Sequence, residues 1–267
     1  MIRRLLIAIT ILFLSIFLVL PILVVIASAF QQGMHAYWAA ITEPEALDAL
    51  KLTLIVAGVA VVSNTIFGLS AAWMITNYSF KGKNLLITLI DLPFTVSPVI
   101  SGLIFVLMFG GRSVVGRWLI DHGIKIIFAT PGIILATCFV TFPFVARELI
   151  PLMQSQGNQE EEAAYMLGAN GWQIFWRVTV PKIKWGILYG VVLAAGRAVG
   201  EFGAVSVVSG HIRGMTNTLP LHIEILYNEY QFSAAFAVAT VLLVFALITL
   251  LLKRYLEYRI ESKVGGQ

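Results

Sequence analysis

The chain has 267 residues, of which 59% are hydrophobic and only 12% are charged, and its formal net charge is +4. Soluble domains carry about 25% charged residues, so this composition excludes an ordinary water-soluble domain and predicts a protein surrounded by lipid. A single cysteine, Cys138, excludes an internal disulfide bond and a metal site built from cysteines.

Six apolar stretches are long enough to cross the hydrocarbon core of a membrane, which takes about 20 residues of helix. Backbone polar groups in lipid must be satisfied within the segment itself, so such stretches predict helices. We therefore expect an all-α membrane protein that forms one transmembrane domain over residues 1–267. The expected spans cover residues 5–30, 52–76, 85–109, 126–146, 185–208 and 232–252.

The first stretch also has features of a secretory signal peptide. Arg3 and Arg4 give it a basic start, and Ala27-Ser28-Ala29 fits the small-residue pattern of a cleavage site. Its apolar run of 26 residues is well beyond the about 7–15 residues of a signal peptide. We therefore expect this stretch to be retained as the first span.

The distribution of basic residues predicts the orientation of the chain. With the N-terminus inside, the inner segments hold twelve Lys and Arg residues, and the outer loops hold five: Lys51, Arg112, Arg117, Lys125 and Arg213. Cytoplasmic loops carry an excess of Lys and Arg, so both termini are predicted to be cytoplasmic. The segment between the fourth and fifth spans then faces the cytoplasm as well.

The third predicted span contains prolines and hydroxyl side chains. Pro93 and Pro98 free backbone carbonyl groups, which nearby hydroxyls can help to satisfy. Ser97 and Ser101 therefore either repair a kinked helix or line a broken helix beside a water-filled route. They are candidates for such a route or for a subunit interface.

The predicted outer loop from Gly110 to Lys125 has a net charge of +2, because Arg112, Arg117 and Lys125 outnumber Asp121. Positive charge is disfavoured on this side of a membrane. The sequence leaves three explanations open: a funnel for anions, a docking surface for a soluble partner, or scattered surface charge.

A polar segment, which we call the 158–181 loop, separates the fourth and fifth spans. Three acidic residues from Glu160 onward stand at the start of a predicted helix, where they complement the positive end of the helix dipole. Gly168 permits a turn that residues with a Cβ atom resist. A second short helix near 170–177, rich in aromatic residues, is expected to stop at Pro181. These features alone also fit an amphipathic hairpin at the membrane surface.

The spacing within the 158–181 loop resembles a motif of ATP-binding cassette (ABC) import permeases. That family's pattern is Glu-Ala-Ala, three residues, Gly, nine residues and then Ile-x-Leu-Pro. The same spacing is present here, with valine in place of Ile and Leu, in Glu162-Ala163-Ala164, Gly168 and Val178-x-Val180-Pro181. The position of the loop before the penultimate of six spans also fits. The resemblance implies the ABC importer permease fold, with a cytoplasmic coupling helix.

The resemblance also implies how this chain would use ATP. The sequence has no Gly-x4-Gly-Lys-Ser/Thr run, so ATP and Mg²⁺ are expected on a separate ATPase subunit, and this chain is expected to be a non-catalytic subunit without a cofactor of its own. In the family, the loop docks in a cleft of that ATPase. The candidate coupling residues are Glu162, Ala163, Ala164, Gly168 and Pro181.

The fifth predicted span contains Arg197 and Glu201. Charges in the centre of a membrane cost at least about 2.5–3.5 kcal/mol each and usually face protein or water. Because the two residues are four apart, they share a helix face and can pair. The pair is either a buried ion pair that fixes the register of the helix or a charged element beside a translocation path.

A second resemblance concerns the cargo. The stretches Gly200–Gly214 and Thr216–Glu229 resemble the W-type permease subunit of sulfate/thiosulfate importers. This resemblance implies a bacterial inner-membrane protein that forms a heterodimer with a T-type permease. It also implies two ATPase subunits and a soluble, extracytoplasmic sulfate-binding protein. The run from Ser97 resembles the wider group of sulfate, molybdate and tungstate permeases. A homodimeric molybdate or tungstate permease therefore remains the alternative, and an intramembrane enzyme would need a nucleophile or metal set that the spans lack.

Overall fold

The described part of the chain, residues 2–264 of a computed structural model, is built from helices, and no strand occurs within that range. The all-α prediction is thereby confirmed. The elements in chain order are α1 Ile2–Leu14, a π-helical turn Ser15–Val19, α2 Leu20–Ala29, α3 Met34–Thr42, α4 Pro44–Asn77, α5 Lys83–Thr95, α6 Pro98–Phe109, α7 Val114–Asp121, α8 Thr130–Gln156, α9 Gln159–Met166, α10 Gly171–Ile174, a second π-helical turn Phe175–Thr179, α11 Val180–Val199, α12 Gly203–Ser209, α13 Leu219–Asn228 and α14 Phe232–Val264.

Within this range, five helical runs are long and apolar enough to cross a membrane, and the bent pair α5–α6 makes six if it is counted as one span. This agrees with the predicted number of spans. Helices that long follow from near-continuous apolar sequence, since each residue adds about 1.5 Å and the hydrocarbon core is about 30 Å thick. The five runs are Ile2–Ala29, Pro44–Asn77, Thr130–Gln156, Gly171–Val199 and Phe232–Ile260.

The third predicted span is broken into two helices. The axes of α5 and α6 differ in direction by 106°. Pro98 disfavours the helical conformation at the residue before it, and both Val96 and Ser97 are extended, with ψ of 132° and 135°. The sequence left open a kinked helix or a broken one, and the structure shows the break. The expectation of a single helix over residues 85–109 is therefore wrong.

The fifth predicted span, 185–208, is also broken. Helix α11 ends at Val199, α12 begins at Gly203, and Glu201 lies in the gap between them. The prediction that Pro181 stops the preceding helix is wrong as well, because helical residues continue from Gly171 to Val199. The N–H of Val180 donates to the carbonyl of Phe175, five residues earlier. This wide π turn makes room for the proline ring in the first turn of α11.

The central helices α4, α8 and α11 meet at small residues. A Cβ atom on Gly68 would lie 2.9 Å from the Cβ of Val145, and one on Gly190 would lie 3.2 Å from its Cα. Glycine therefore lets two helices approach the same side of α8, as is common between membrane helices. By contrast, the most apolar window of Ile2–Ala29 has no buried residue, so the first span lies at the outside of the helix assembly.

Candidate functional site

The 158–181 loop begins with α9 and turns at Gly168. The φ angle of Gly168 is +86°, and no neighbouring atom lies within 4 Å of where its Cβ would be. The N–H of Ala169 donates to the carbonyl of Ala164 at 3.1 Å, and the N–H of Gly168 donates to that of Tyr165 at 2.9 Å. This pair of bonds is a Schellman motif, which needs a left-handed residue at the glycine position. The turn expected at Gly168 is therefore present.

The apex of the loop is exposed and apolar. Met166 and Leu167 are 87% and 89% exposed. Glu162 and Tyr165 line a cavity of about 580 Å³ between α9, α10 and the end of α4. An exposed apolar apex beside an open cavity is typical of a surface that binds another protein.

Glu161, the second of the three consecutive acidic residues in α9, connects the loop to the start of α11. The amine of Lys182 lies 3.3 Å from Oε2 of Glu161 and donates to the carbonyl of Gly157 at 2.9 Å. The hydroxyl of Thr179 donates to Oε1 of Glu161 at 3.3 Å. Both charged side chains are mostly buried, whereas Glu162 is exposed. Sequence reasoning missed Glu161 and Lys182, because three consecutive acids give no sign of which one faces α11.

The start of α10 is held by a capping box. Asn170 Oδ1 accepts from the N–H of Gln173 at 2.9 Å, and Gln173 Oε1 accepts from the N–H of Asn170 at 3.0 Å. Of the aromatic residues that follow, Phe175 packs on α4, with its ring 5.3 Å from that of Trp73. The second half of the loop therefore has a defined helix start and a contact with α4.

The two broken spans meet at their breaks. A Cβ atom on Gly203 would lie 3.0 Å from the Cβ of Pro98, and one on Gly102 would lie 2.6 Å from the carbonyl oxygen of Ala204. The hydroxyl of Ser101 is buried and donates to the carbonyl of Ser97 at 3.2 Å. It therefore satisfies a backbone group of α6, while the side chain of Ser97 is exposed at the break.

The predicted ion pair lies at the second break. Nη1 of Arg197 is 2.6 Å from Oε2 of Glu201, and Oε1 of Glu201 accepts from the N–H of Ala204 at 2.9 Å. Glu201 is 2% exposed, whereas the Arg197 side chain is 34% exposed. Glu201 thus joins the end of α11 to the start of α12, and Arg197 faces a small cavity of about 180 Å³ that Thr249 and Lys253 also line.

The structure groups the predicted site residues into two regions. Glu162, Ala163, Ala164 and Gly168 lie together on α9 and its turn, and Pro181 lies in the first turn of α11. The two serines and the ion pair belong to the two broken spans. Among the described side chains, which end at residue 260, no group of three or more His, Cys, Asp or Glu is arranged to hold a metal ion.

Residues 64–262 match the family described as "Binding-protein-dependent transport system inner membrane component". The chain belongs to this family. With its five to six candidate spans, it is a multi-pass protein of the inner membrane. The all-α membrane fold expected from the sequence is therefore that of a permease of this family.

Relatives in this family match nearly the whole chain. It is 49% identical over 246 residues, 92% of this chain and 84% of the relative, to the sulfate transport system permease protein CysW of Escherichia coli K12. It is 48% identical, over 97% of this chain and 94% of the relative, to CysW of Synechocystis. Identity to CysT of Escherichia coli K12 is 36%, over 96% of this chain and 93% of the relative.

Solved structures support the fold. A chain of a bacterial alginate ABC transporter, solved in complex with a periplasmic protein bound to an alginate pentasaccharide, superposes with a TM-score of 0.78. The superposition covers 98% of this chain and 94% of that chain at 20% sequence identity. At that identity the likeness concerns the fold alone, which is that of an ABC importer permease.

Proposed function

We propose that this chain is a transmembrane permease subunit of an ATP-driven importer of sulfate or thiosulfate. The observation that carries the proposal is the identity of 48–49% over more than nine-tenths of the chain to sulfate permeases of the CysW type. The relatives reported above are all named for sulfate, which favours a sulfate importer over the molybdate or tungstate alternative.

The proposed topology has both termini and the 158–181 loop in the cytoplasm. The excess of twelve basic residues over five supports this orientation. The loop would then face a cytoplasmic ATPase subunit, which holds ATP and Mg²⁺. The exposed apex supports a docking role, because Tyr165, Met166 and Leu167 expose adjacent large apolar side chains and contiguous exposed apolar patches mark sites of interaction.

Coupling would pass from the loop to the membrane through the contacts of Glu161. When the ATPase moves α9, the bonds from Glu161 to Lys182 and Thr179 pull on the start of α11. The far end of α11 is the break that holds Arg197 and Glu201. A rigid helix of 20 residues can carry such a displacement over about 30 Å.

The proposed assembly has two permeases, two ATPase subunits and an extracytoplasmic sulfate-binding protein. The existence of CysW-type and CysT-type relatives supports a heterodimer of permeases. The two broken spans are proposed to border the translocation path. Ser97 at one break and Arg197 at the other are exposed enough to face it, whereas Ser101 and Glu201 support them from within the protein.

Reconstitution of this chain with the T-type permease, the ATPase and the sulfate-binding protein in lipid vesicles tests the proposal. We expect ATP hydrolysis that rises when sulfate-loaded binding protein is added. The variant Gly168→Ala places a Cβ at φ +86°, which costs roughly 1–2 kcal/mol, and should reduce this stimulation. Gly58→Ala in α4 is the matched control, since it lies outside the loop, no neighbouring atom would meet its Cβ and its φ is ordinary.

Two results would contradict the proposal. Equal stimulation by molybdate-loaded and sulfate-loaded binding proteins would remove the assignment of the cargo. Full activity without the T-type permease would remove the heterodimer.

A further inference from the structure

A cleft of about 770 Å³ lies between the C-terminal end of α6, the segment 110–113, Ile120 of α7 and the segment 125–128. We call it the 106–128 cleft. It is at the opposite end of α8 from the 158–181 loop, and the 27 residues of α8 separate the two ends by about 40 Å. The lining includes neither break nor any residue of the ion pair, so the proposed function leaves the cleft unexplained.

The cleft is positively charged. Arg112 and Lys125 line it, and no acidic residue does. Among the side chains that the structure describes, those of residues 2–7 and 9–260, neither cation has a carboxylate within 4.0 Å, whereas Arg147, Lys182 and Arg213 each form an ion pair. Two unpaired cations that line the same cavity repel each other, and an acidic group from outside this chain would relieve that repulsion.

The walls of the cleft are fixed by hydrogen bonds. The hydroxyl of Ser113 accepts from the N–H of Gly116 at 2.7 Å and donates to the carbonyl of Met108 at 2.6 Å. On the other wall, the N–H of Phe128 donates to the carbonyl of Val208 in α12 at 2.9 Å. The cleft is therefore formed before any partner arrives, which lowers the entropic cost of binding.

Most of the remaining lining is apolar, and it distinguishes between occupants. Phe109, Ile120 and Phe128 are among the side chains around the two cations. A lone sulfate ion would fill a small part of about 770 Å³ and would have no use for these walls. Anionic lipids are concentrated in the cytoplasmic leaflet, whose surface potential is negative. The cleft lies at the opposite end of α8 from the proposed cytoplasmic loop, which argues against an anionic lipid as its occupant. A protein segment with an acidic and an apolar side chain matches both parts of the lining.

We propose that the 106–128 cleft is the docking surface for a loop of the soluble extracytoplasmic partner, with an acidic side chain of that loop between Arg112 and Lys125. This rests on the proposed function, which supplies the partner and the sidedness. The cleft also contacts the transport machinery, because a Cβ on Gly210, just after α12, would lie 2.7 Å from the ring of Phe128. Docking therefore acts on α12, the helix that follows the ion pair.

The test uses the complete importer in phosphatidylcholine nanodiscs, which is titrated with its purified, sulfate-loaded binding protein. Arg112→Glu and Lys125→Glu should each raise Kd roughly tenfold or more, because like charges then face each other across the interface. The Kd of the wild type should rise with salt more steeply than that of either variant. Arg117→Glu is the matched control, since Arg117 is exposed on α7 beside the cleft but does not line it, and its Kd should stay within about twofold.

Folding is checked by basal ATP hydrolysis, which all three variants should retain. As a second measurement, Lys125→Cys in a Cys138→Ser background gives this chain a single thiol, whose modification by a membrane-impermeant maleimide, read on the separated chain, should be slowed by the binding protein. Wild-type Kd for both Arg112→Glu and Lys125→Glu would overturn the docking proposal, as would unprotected modification. Lipid bound to the purified importer is also analysed. If the wild type retains phosphatidylglycerol and the two variants lose it while their Kd is unchanged, the cleft is a lipid site and the docking proposal fails. If the wild-type importer shows no sulfate-dependent ATP hydrolysis, the proposed function itself fails.

Discussion

Gly203 lies directly against Pro98, so that the two broken spans touch at their breaks. The Cβ that Gly203 lacks would be 3.0 Å from the Cβ of Pro98. Each break is polar, with Ser97 at one and Glu201 at the other. Broken helices at membrane depth are tolerated where they are buried in protein or line a water-filled cavity. The contact therefore places the two irregular segments of backbone side by side within the helix assembly.

Gly102→Ala should separate α6 from α12 and impair sulfate uptake. The added Cβ would lie 2.6 Å from a backbone oxygen and 2.9 Å from the Cβ of Val207, so the helices must shift. Overpacking of this kind costs about 1–3 kcal/mol. Gly58→Ala is the control, because no neighbouring atom lies within 4 Å of its Cβ, and it should be neutral or stabilising. Thermal unfolding in detergent and uptake by vesicles measure both effects, and equal behaviour of the two variants would contradict the prediction.

The number of spans could be predicted from apolar length, but the breaks could be predicted only in part. Prolines at 93 and 98 identified the third span as irregular, because proline has a local effect on the backbone. The break after Val199 has no proline nearby. The N–H of Ala204 donates to Glu201 across the break, and α6 approaches α12 closely beside it. The approach of α6 is a tertiary contact, which no local pattern reports.

Glu161→Gln should weaken coupling more than Glu160→Gln does. The side chain of Glu161 is mostly buried and bonded to both Lys182 and Thr179, whereas Glu160 is 65% exposed and 3.7 Å from the same amine. Exposed pairs of this kind contribute about 0–1 kcal/mol, so Glu160 serves as the matched control. With α9 loosened from α11, ATP hydrolysis should continue while sulfate transported per ATP falls. A ratio equal in the two variants would show that force does not pass through Glu161.

Those features of the candidate site that depend on the spacing of residues along the chain could be predicted from the sequence. Gly168 stands out because only glycine adopts φ +86° without strain, and the expected turn is present. The partners of Arg197 and Glu201 could be inferred from their i, i+4 separation. The contact between Glu161 and Lys182 was not predictable, since it spans 21 residues across a turn and a π-helical segment whose geometry is set by packing.

His222 should make the protein less stable in mild acid. His222 is fully buried in α13, outside the candidate spans, and this burial lowers its pKa below the usual 6.5. The positive charge of Arg213 lowers the pKa further, whereas the carboxylates of Glu43, Glu45 and Glu229 act in the opposite direction. The unfolded chain therefore binds the proton more readily. Stability is unaffected above about pH 6.5 and falls toward the lowered pKa, by at most about 1.4 kcal/mol per pH unit.

The measurement is Tm in detergent between mildly alkaline and mildly acidic pH. His222→Gln removes the titrating group and should flatten the acid side of the profile. His35→Gln, at an exposed histidine, should leave the profile as in the wild type. An acid slope that persists in full in His222→Gln would show that other groups cause it.

The ion pair Arg197–Glu201 can be tested for a role in transport separately from its role in folding. Removing one partner leaves a charge uncompensated, which costs about 3–5 kcal/mol for fully buried pairs and less here, where the Arg197 side chain is 34% exposed. Glu201→Gln alone should therefore lower Tm. The double variant Arg197→Met with Glu201→Gln should recover much of that loss, because uncharged residues of similar size often replace an ion pair without cost.

Transport should not recover with stability. The exposed part of Arg197 is the cation proposed to face the anion path, and methionine cannot replace it. The double variant is therefore expected to have near wild-type Tm and to retain ATP hydrolysis, with sulfate uptake lowered roughly tenfold or more, as expected when a favourable charge contact to an anion is lost. Arg197→Lys keeps the charge and should fall between the two. If the double variant takes up sulfate at the wild-type rate, the pair fixes only the register of α11 and α12, and the path must be lined by other residues.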